Sequence, residues 1–194
     1  MSDLAPHPAP SPRTPPLPAP DLPEPAIRAL SAEEAEARLP ELADLLVDAV
    51  AHGASVNFLA GFRHDEGVAF WRGQIPAIRA GGRALLVAEA GGRLVGTVVL
   101  THAPQPNAPH RAEIGKMLVH SALRRRGLGA RLLSAAEDHA RRAGRTLLML
   151  DTEAGSAGEH LYRRCGWTVL GVVPNHSYRT DGRLAPTTFF YKEL

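Results

Sequence analysis

Residues 112–130 read AEIGKMLVHSALRRRGLGA, and this stretch decides the fold. Ala112 to His120 has the apolar composition of a β-strand. An amphipathic helix follows, and its apolar stripe consists of Leu128, Leu132, Leu133, Ala136 and Ala140. Residues 124–130, called the arginine loop below, are therefore predicted to lie between a strand and the first turn of a helix.

The arginine loop has the properties of a phosphate-binding site. The first turn of a helix leaves about four backbone N–H groups unpaired and carries roughly half a positive charge, which favours a phosphate. Gly127 and Gly129 have no side chain to keep a phosphate from the backbone, and Arg124, Arg125 and Arg126 add charged donors. The alternative is a basic surface turn that caps the helix. The loop lacks the Gly-Lys-Ser/Thr of a P-loop and the Gly-x-Gly-x-x-Gly pattern of a dinucleotide fold.

Outward from this unit, the sequence predicts strands that alternate with helices. Gly91-Gly92 separates two Val- and Leu-rich segments and is typical of a two-residue hairpin. Ser31 and Glu34 form a capping box, and Gly53 ends the helical region that follows. We expect strands at 27–30, 84–90, 94–102, 112–120, 146–151, 167–173 and 187–192, and helical regions near 31–53, 64–79, 128–140 and 158–164. The apolar run 147–150 is expected to be buried on both faces. This order predicts an α+β fold with a central βαβ unit.

The composition indicates one globular domain after a proline-rich segment. The chain has 194 residues, of which 44% are hydrophobic, and this is enough for one core. Residues 1–25 are rich in proline and poor in large apolar side chains. We therefore expect a disordered tail at 1–25 and a folded domain at 26–194. A proline-rich docking ligand is the functional alternative for the tail.

Several classes of protein are disfavoured by the sequence. There is no run of about 18 apolar residues and no signal-peptide pattern, so we expect a soluble, cytoplasmic protein without a membrane partner. Cys165 is the only cysteine, and the nine histidines show no metal-binding spacing, so no metal is expected. The net charge of +2 and the 5% aromatic content do not favour nucleic acid. A small phosphorylated ligand suits the single arginine cluster better.

The arginine loop also resembles a known family. Arg124-x-x-Gly127-x-Gly129 resembles the Gln/Arg-x-x-Gly-x-Gly/Ala motif of the GNAT N-acetyltransferases. Further similarity is to the subgroup that contains the tabtoxin resistance protein, and it lies at Gly53-Ala54-Ser55-Val56, at residues 150–156, at Asp181-Gly182-Arg183-Leu184 and at Pro186-Thr187. The resemblance covers the chain from Ile27 onward. It implies an α/β/α GNAT fold, with a mixed, mostly antiparallel sheet of six to seven strands, about four helices and a splayed centre.

The resemblance implies acetyl-CoA as cosubstrate. Its pantetheine is expected along the strand of Met117, Leu118 and Val119, and its pyrophosphate at the backbone N–H groups from Arg125 to Ala130. The expected cofactor-binding residues are Met117, Leu118, Val119, Arg124, Arg125, Arg126, Gly127, Leu128, Gly129 and Ala130. One departure from the family is Gly155, because many members carry an asparagine there. A side-chain contact to the cofactor is therefore absent or moved.

Three residues are the expected catalytic groups. Glu113 and Asp151 correspond to the two carboxylates proposed as general base and ammonium binder in the tabtoxin resistance protein. Tyr162 lies where GNAT enzymes often place the tyrosine that protonates the CoA thiolate. The alternatives are a strand-surface carboxylate for Glu113, a turn cap for Asp151 and core packing for Tyr162. Cys165 and Trp167 are expected to pack in the core.

The resemblance favours a small toxin or antibiotic-like amine as the acceptor. A protein N-terminus or lysine is the alternative acceptor, and a non-catalytic acetyl-CoA-binding module is the alternative of another class. Residues 173–184 are expected to form a loop that walls the substrate pocket. Asn57, Asn175 and His176 are the expected substrate-binding residues. A monomer or homodimer is expected.

Overall fold

The computed structural model describes residues 23–54 and 56–194. In these residues the chain forms seven strands and six α-helices. The strands are β1 (Ala26–Leu30), β2 (Arg83–Ala90), β3 (Arg93–His102), β4 (Arg111–Val119), β5 (Leu147–Glu153), β6 (Thr168–Tyr178) and β7 (Leu184–Glu193). The helices are α1 (Ala32–Ala37), α2 (Leu39–Ala51), α3 (His64–Arg72), α4 (Ile75–Arg79), α5 (Leu128–Arg142) and α6 (Ala157–Arg164). Ser55 and all but the last three residues of the predicted disordered tail lie outside the described residues.

All seven described strands belong to one mixed sheet, in the order β1-β2-β3-β4-β5-β7-β6. Neighbouring strands are antiparallel except for β4 and β5, which are parallel. A parallel pair needs a long crossover, and α5 provides it. The predicted α+β fold, with a mostly antiparallel sheet and a central βαβ unit, is confirmed.

The four predicted helical regions contain six α-helices, because two of them are divided. The first is divided at Arg38, and Pro40 lies in the first turn of α2, where its missing N–H is tolerated. The second is divided at Gly73, and Pro76 lies in the first turn of α4 in the same way. The capping box is present, since Ser31 accepts the N–H of Glu34 and Glu34 accepts the N–H of Ser31. None of the helices in the described part of the chain combines the length and hydropathy that crossing a membrane requires.

The β2–β3 hairpin turns at Gly91-Gly92, as the sequence predicts. Gly91 has φ 57° and Gly92 has φ 77°. Two consecutive left-handed residues form the two-residue turn whose twist matches antiparallel strands, and glycine adopts this conformation without a steric penalty. The hairpin pairs β2 with β3, and the other edge of β3 pairs with β4, which carries part of the candidate site.

Each face of the sheet carries its own hydrophobic core. α5 and α6 cover one face, where Leu132, Leu133, Leu148 and Phe190 are completely buried. α1 to α4 cover the other face, with a core that includes Trp71. The prediction that residues 147–150 are buried on both faces is wrong. Leu148 and Leu150 are buried, but Leu147 and Met149 on the opposite face are only half-buried.

The predicted loop at 173–184 is also wrong. β6 continues through Tyr178 and pairs with β7 up to Leu184, so only a short turn joins the two strands. The pairing shifts register between Val173 and Ser177, and Asn175 within this bulge has φ 52°. An asparagine tolerates left-handed backbone better than most residues. The polar, turn-like residues of this segment therefore mark a bulge in a long strand.

Candidate active site

A cleft opens in the middle of the sheet where β4 and β5 separate. The two strands pair only from Arg111 with Leu147 to Glu113 with Met149. Beyond these pairs they diverge around a cleft of about 760 Å³. The cleft is lined by the rest of β4, the end of β5, the arginine loop, α6 and the segment after α2. The free edge of β4 therefore faces the cleft over residues 114–119.

A bulge shapes this part of β4. Thr97 of β3 pairs with Leu118, but Val99 pairs with Gly115, so β4 has one extra residue. Lys116 lies in the bulge with φ 46°, a backbone conformation that costs a residue with a side chain about 1–2 kcal/mol. The buried Thr97 hydroxyl donates to the Lys116 carbonyl at 2.9 Å and holds the bulge.

Glu113 and Asp151 line the cleft on the same face of the sheet. Glu113 is paired with Met149, and paired residues have side chains on one face. Asp151 follows Met149 by two residues, so it shares that face. Both side chains are exposed where the strands part. The structure thus brings the two predicted carboxylates to one site.

Lys116 belongs to the same site, although sequence analysis did not select it. Its Nζ lies 5.3 Å from the ring centre of Phe70 and 5.9 Å from that of Phe58. Burial lowers the pKa of Lys116; the charge of Asp151 acts in the opposite direction, and the smaller effects of Arg83 and Glu113 oppose each other. One signal in the sequence could have found it. The chain has only two lysines, and this one is the only polar side chain in residues 114–119.

Tyr162 lies on α6, which covers the face of the sheet opposite to Glu113 and Asp151, and its side chain lines the cleft. It is 6% exposed, and its ring packs against Trp167 and Phe190 at centroid distances of 6.1 and 5.9 Å. Burial, together with the nearby charge of Asp151, raises the pKa of Tyr162 far above its usual value. A tyrosine is already protonated at neutral pH at its ordinary pKa of about 10, so the phenol can donate a hydrogen bond. The core packing that was the alternative role for Tyr162 is present, and its side chain also lines the cleft.

The arginine loop presents unpaired backbone donors. Arg125 has φ 62° and Gly127 has φ 80°, and α5 begins at Leu128. The backbone N–H groups of residues 125–130 make none of the hydrogen bonds found among the described residues. Arg124 Nε donates to the carbonyl of Val119 at 3.1 Å, so its side chain ties the loop to the end of β4. These donors have the geometry of an anion site at a helix N-terminus.

Eight of the ten predicted cofactor-binding residues line the cleft. The other two are Arg126, which is exposed outside the lining, and Leu128, whose side chain is 4% exposed in the core. Gly129 allows close packing, because a Cβ there would lie 3.2 Å from Leu161. Gly155 stands where many GNAT members carry an asparagine. Close to it in sequence, the hydroxyls of Thr152 and Ser156 lie 3.2 Å apart, and both residues line the cleft.

The segment around Asn57 and the β6–β7 turn are joined beside the cleft. Asn57 lines the cleft, and the segment that carries it continues to Ala60. The Ala60 N–H donates to the carbonyl of Thr180 at 2.9 Å, which joins this segment to the β6–β7 turn. Arg179 near this turn pairs with Glu153 of β5 at 2.8 Å. This side of the cleft is therefore a bridged wall.

Two predicted substrate-binding residues do not line the cleft. Asn175 lies in the β6 bulge, and the ring of His176 packs edge-on against Phe189 at 5.2 Å. Neither belongs to the cleft lining. Both were assigned to a loop that the structure shows to be strand, and this strand lies beyond β7 from the cleft. In residues 23–54 and 56–194, no three His, Cys, Asp or Glu side chains are grouped as metal ligands.

Comparison with known proteins decides the family. The sequence model of the acetyltransferase (GNAT) family matches residues 46–167, which include the arginine loop, both carboxylates and Tyr162. The chain belongs to the GNAT acetyltransferases. GNAT enzymes transfer an acetyl group from acetyl-CoA to an amine, so this protein is an acetyl-CoA-dependent N-acetyltransferase.

Solved structures agree with this GNAT assignment. YncA from Salmonella typhimurium, determined with acetyl-CoA, is 25% identical with a TM-score of 0.70, over 88% of this chain and 94% of that one. The ribosomal-protein-alanine N-acetyltransferase from Brucella melitensis is 27% identical with a TM-score of 0.67, over 87% and 99%. An N-acetyltransferase from Staphylococcus aureus Mu50 is 19% identical with a TM-score of 0.71, over 87% and 98%, and shows the fold alone.

The described residues of this GNAT cleft fit acetyl-CoA. The unpaired N–H groups of the arginine loop suit a pyrophosphate. The free edge of β4 offers backbone donors and acceptors to an extended amide chain such as pantetheine. Tyr162 and the two carboxylates lie at the other end of the same cleft.

Proposed function

We propose that this enzyme acetylates the amine of a small amino compound by direct attack in a ternary complex. One observation carries the proposal. The separation of β4 and β5 puts Glu113 and Asp151 in the same cleft as the arginine loop and Tyr162. Groups for an ammonium, for a phosphate and for a leaving thiolate thus line one continuous space.

The carboxylates would bind the acceptor ammonium and remove its proton. A lysine-like amine with a pKa of about 10.4 is neutral in roughly one molecule per few thousand at pH 7, so a base is useful. A positioned base contributes about 10²- to 10⁴-fold in rate. Acetyl-CoA supplies an activated thioester, so no covalent enzyme intermediate is needed. A tyrosine is protonated at neutral pH at its ordinary pKa of about 10, so the Tyr162 hydroxyl can donate to the thiolate as the C–S bond breaks.

The bridged wall favours a small acceptor over a protein. The hydrogen bond from Ala60 to Thr180 and the Arg179–Glu153 ion pair join the rim segments that a protein substrate would have to separate. A protein N-terminus is nevertheless the second candidate. It is supported by the 27% identity to a ribosomal-protein-alanine N-acetyltransferase.

Within small amines, a toxin or antibiotic-like amino compound is our first choice of substrate. The support is the resemblance to the subgroup of the tabtoxin resistance protein at residues 150–156 and 181–184. A structure provisionally assigned as a phosphinothricin N-acetyltransferase has the same fold, with a TM-score of 0.70 at 19% identity. A role in resistance would follow from such a substrate.

Release of CoA thiol from acetyl-CoA tests the proposal. The acceptor panel contains amino acids, β-lactam amino acids, aminoglycosides, polyamines and peptides. We expect turnover with a small amine and a large loss of rate in Glu113→Gln or Asp151→Asn. Asp138→Asn is the matched control, because Asp138 is an exposed carboxylate on α5 that pairs with Arg141 at 2.8 Å.

Full rate in both cleft variants at pH 7 would show that neither carboxylate is the base. Turnover with peptides alone would favour the second candidate, and acetyl-CoA binding without any turnover would favour a non-catalytic module.

A further inference from the structure

Lys116 is a charged group in the cleft that the proposed mechanism does not use. Of the other cleft-lining cations, Arg124 and Arg125 belong to the arginine loop, where a pyrophosphate would be held, and Arg164 is an exposed residue at the end of α6. Lys116 instead lies on β4 between that loop and Glu113. The charges of Asp151 and Glu113 both act on its ammonium. Lys116 is therefore a cation at the acceptor end of the cleft.

The Lys116 ammonium has no acceptor among the described residues. In the described residues, no hydrogen bond and no ion pair within 4.0 Å involves its Nζ, which lies 5.9 and 5.3 Å from the ring centres of Phe58 and Phe70. An ammonium group has three donors. In the described part of the chain, some polar side-chain atoms are fully buried and lack a partner, and the Lys116 Nζ is not one of them. Since Lys116 lines the cleft, this indicates that its ammonium reaches the open cleft.

The surroundings hold Lys116 in place. The bulge fixes its backbone in the left-handed region, and the buried Thr97 hydroxyl locks that conformation. The two aromatic rings cover one side of the side chain and favour a cation. Burial is also the main influence on its pKa, so the group is partly removed from water. A fixed, partly desolvated cation with free donors binds an anion more strongly than a solvated surface lysine does.

We propose that Lys116 binds an anionic group of the acceptor, a carboxylate or a similarly compact anion, so that the substrates are amino acids or amino-acid-like zwitterions. This inference rests on the proposed function and narrows its substrate class. Glu113 and Asp151 suit the ammonium of such a molecule, and Lys116 suits its anion. Lys116 is then a specificity-determining residue, separate from the base and from the proton donor.

The test compares the common L-amino acids with their carboxamides, which keep the amine and lose the negative charge. Thiol release is measured for the wild type, Lys116→Met, Lys116→Arg and the control Arg72→Met. Methionine replaces the apolar stem of lysine with an unbranched side chain one atom shorter and without charge. Arg72 is an exposed cation on α3, the helix that also carries Phe70, and it does not line the cleft.

We expect the wild type to prefer the acids. Lys116→Met should lower kcat/KM for acids about 10- to 100-fold, mainly through KM, as expected for one charge-assisted hydrogen bond. It should change kcat/KM for carboxamides less than about twofold. Lys116→Arg should restore part of the preference, and Arg72→Met should behave as wild type. Acetyl-CoA affinity, measured by calorimetry, should stay unchanged in Lys116→Met.

Three results would overturn the inference. Equal loss for acids and carboxamides would make Lys116 a base or a structural residue. Weaker acetyl-CoA binding in Lys116→Met would place the lysine on the donor. A wild type that prefers carboxamides would refute the inference even if the variant does not fold. Absence of turnover with any small amine would instead refute the proposed function itself.

Discussion

Gly127 offers a direct test of the prediction that the arginine loop binds acetyl-CoA. It precedes the first residue of α5 with φ 80° and ψ −7°, and a Cβ there would meet no heavy atom within 4 Å. Gly127→Ala therefore adds backbone strain of about 1–2 kcal/mol without a clash inside the protein. For a domain of this size, that strain lowers Tm by about 2–8 °C.

Gly144 is the matched control. It has φ 70°, is exposed, and also has no heavy atom within 4 Å of an added Cβ. It lies just past the other end of α5 and does not line the cleft. Gly144→Ala should therefore lower Tm by a similar amount. The two variants differ only in whether the new methyl group lies where a phosphate would approach the backbone.

The expected difference is in acetyl-CoA binding. Loss of one charge-assisted hydrogen bond to a backbone N–H weakens affinity about 10- to 100-fold. Calorimetry should show this loss for Gly127→Ala and an unchanged Kd for Gly144→Ala. If Gly127→Ala keeps its Kd within about twofold, the backbone of the arginine loop does not hold the donor. A much larger drop in Tm for Gly127→Ala than for Gly144→Ala would contradict the open space around Gly127.

Three further predictions concern Tyr162, Glu137 and Glu159. Tyr162→Phe keeps the ring packing, so kcat should fall about 10²-fold while Tm changes little, and an unchanged kcat would remove the acid role. Glu137 is 7% exposed and accepts hydrogen bonds from Lys192 and from Trp167 Nε1. Glu137→Leu should therefore lower the free energy of unfolding, measured in urea, by about 3 kcal/mol. An unchanged free energy would show that the ion pair adds no stability. A backbone hydrogen bond from Gly155 lowers the pKa of Glu159 below its ordinary 4.5, so its stabilisation is complete above that pH and is lost as the pH falls through the lower folded pKa. The Tm difference between wild type and Glu159→Gln should therefore shrink from pH 6 to pH 3, and a constant difference would contradict this assignment.

Local signals predicted most of the fold. The capping box at Ser31, the Gly91-Gly92 turn and the apolar stripe of α5 each involve residues close in sequence, and each is present. Dependence on such local signals also explains the predictions that were wrong. Polar residues around Asn175 suggested a loop, but pairing with β7, the next strand along the chain, makes the segment a bulged strand. A bulge and a loop use the same polar, turn-forming residues, so composition alone does not distinguish them.

The candidate site also has parts that local sequence predicts and parts that it does not. The arginine loop could be found because its chemistry is contained in seven consecutive residues at one helix start. Glu113, Asp151 and Tyr162 required a family resemblance, since they lie on three separate elements that only the folded sheet brings to one cleft. Lys116 was missed because its role depends on an extra residue in β4 and on rings from distant segments.

The sequence by itself thus determined the order of strands and helices and the place of the arginine loop at a helix start, because periodicity, caps and glycine turns act between near neighbours. Only the tertiary structure decided which charges face each other. The divergence of β4 from β5 opens the cleft, and the bulge at Lys116 turns a strand residue into a fixed cation within it. Both depend on long-range pairing and packing, where burial sets the strength of every charge.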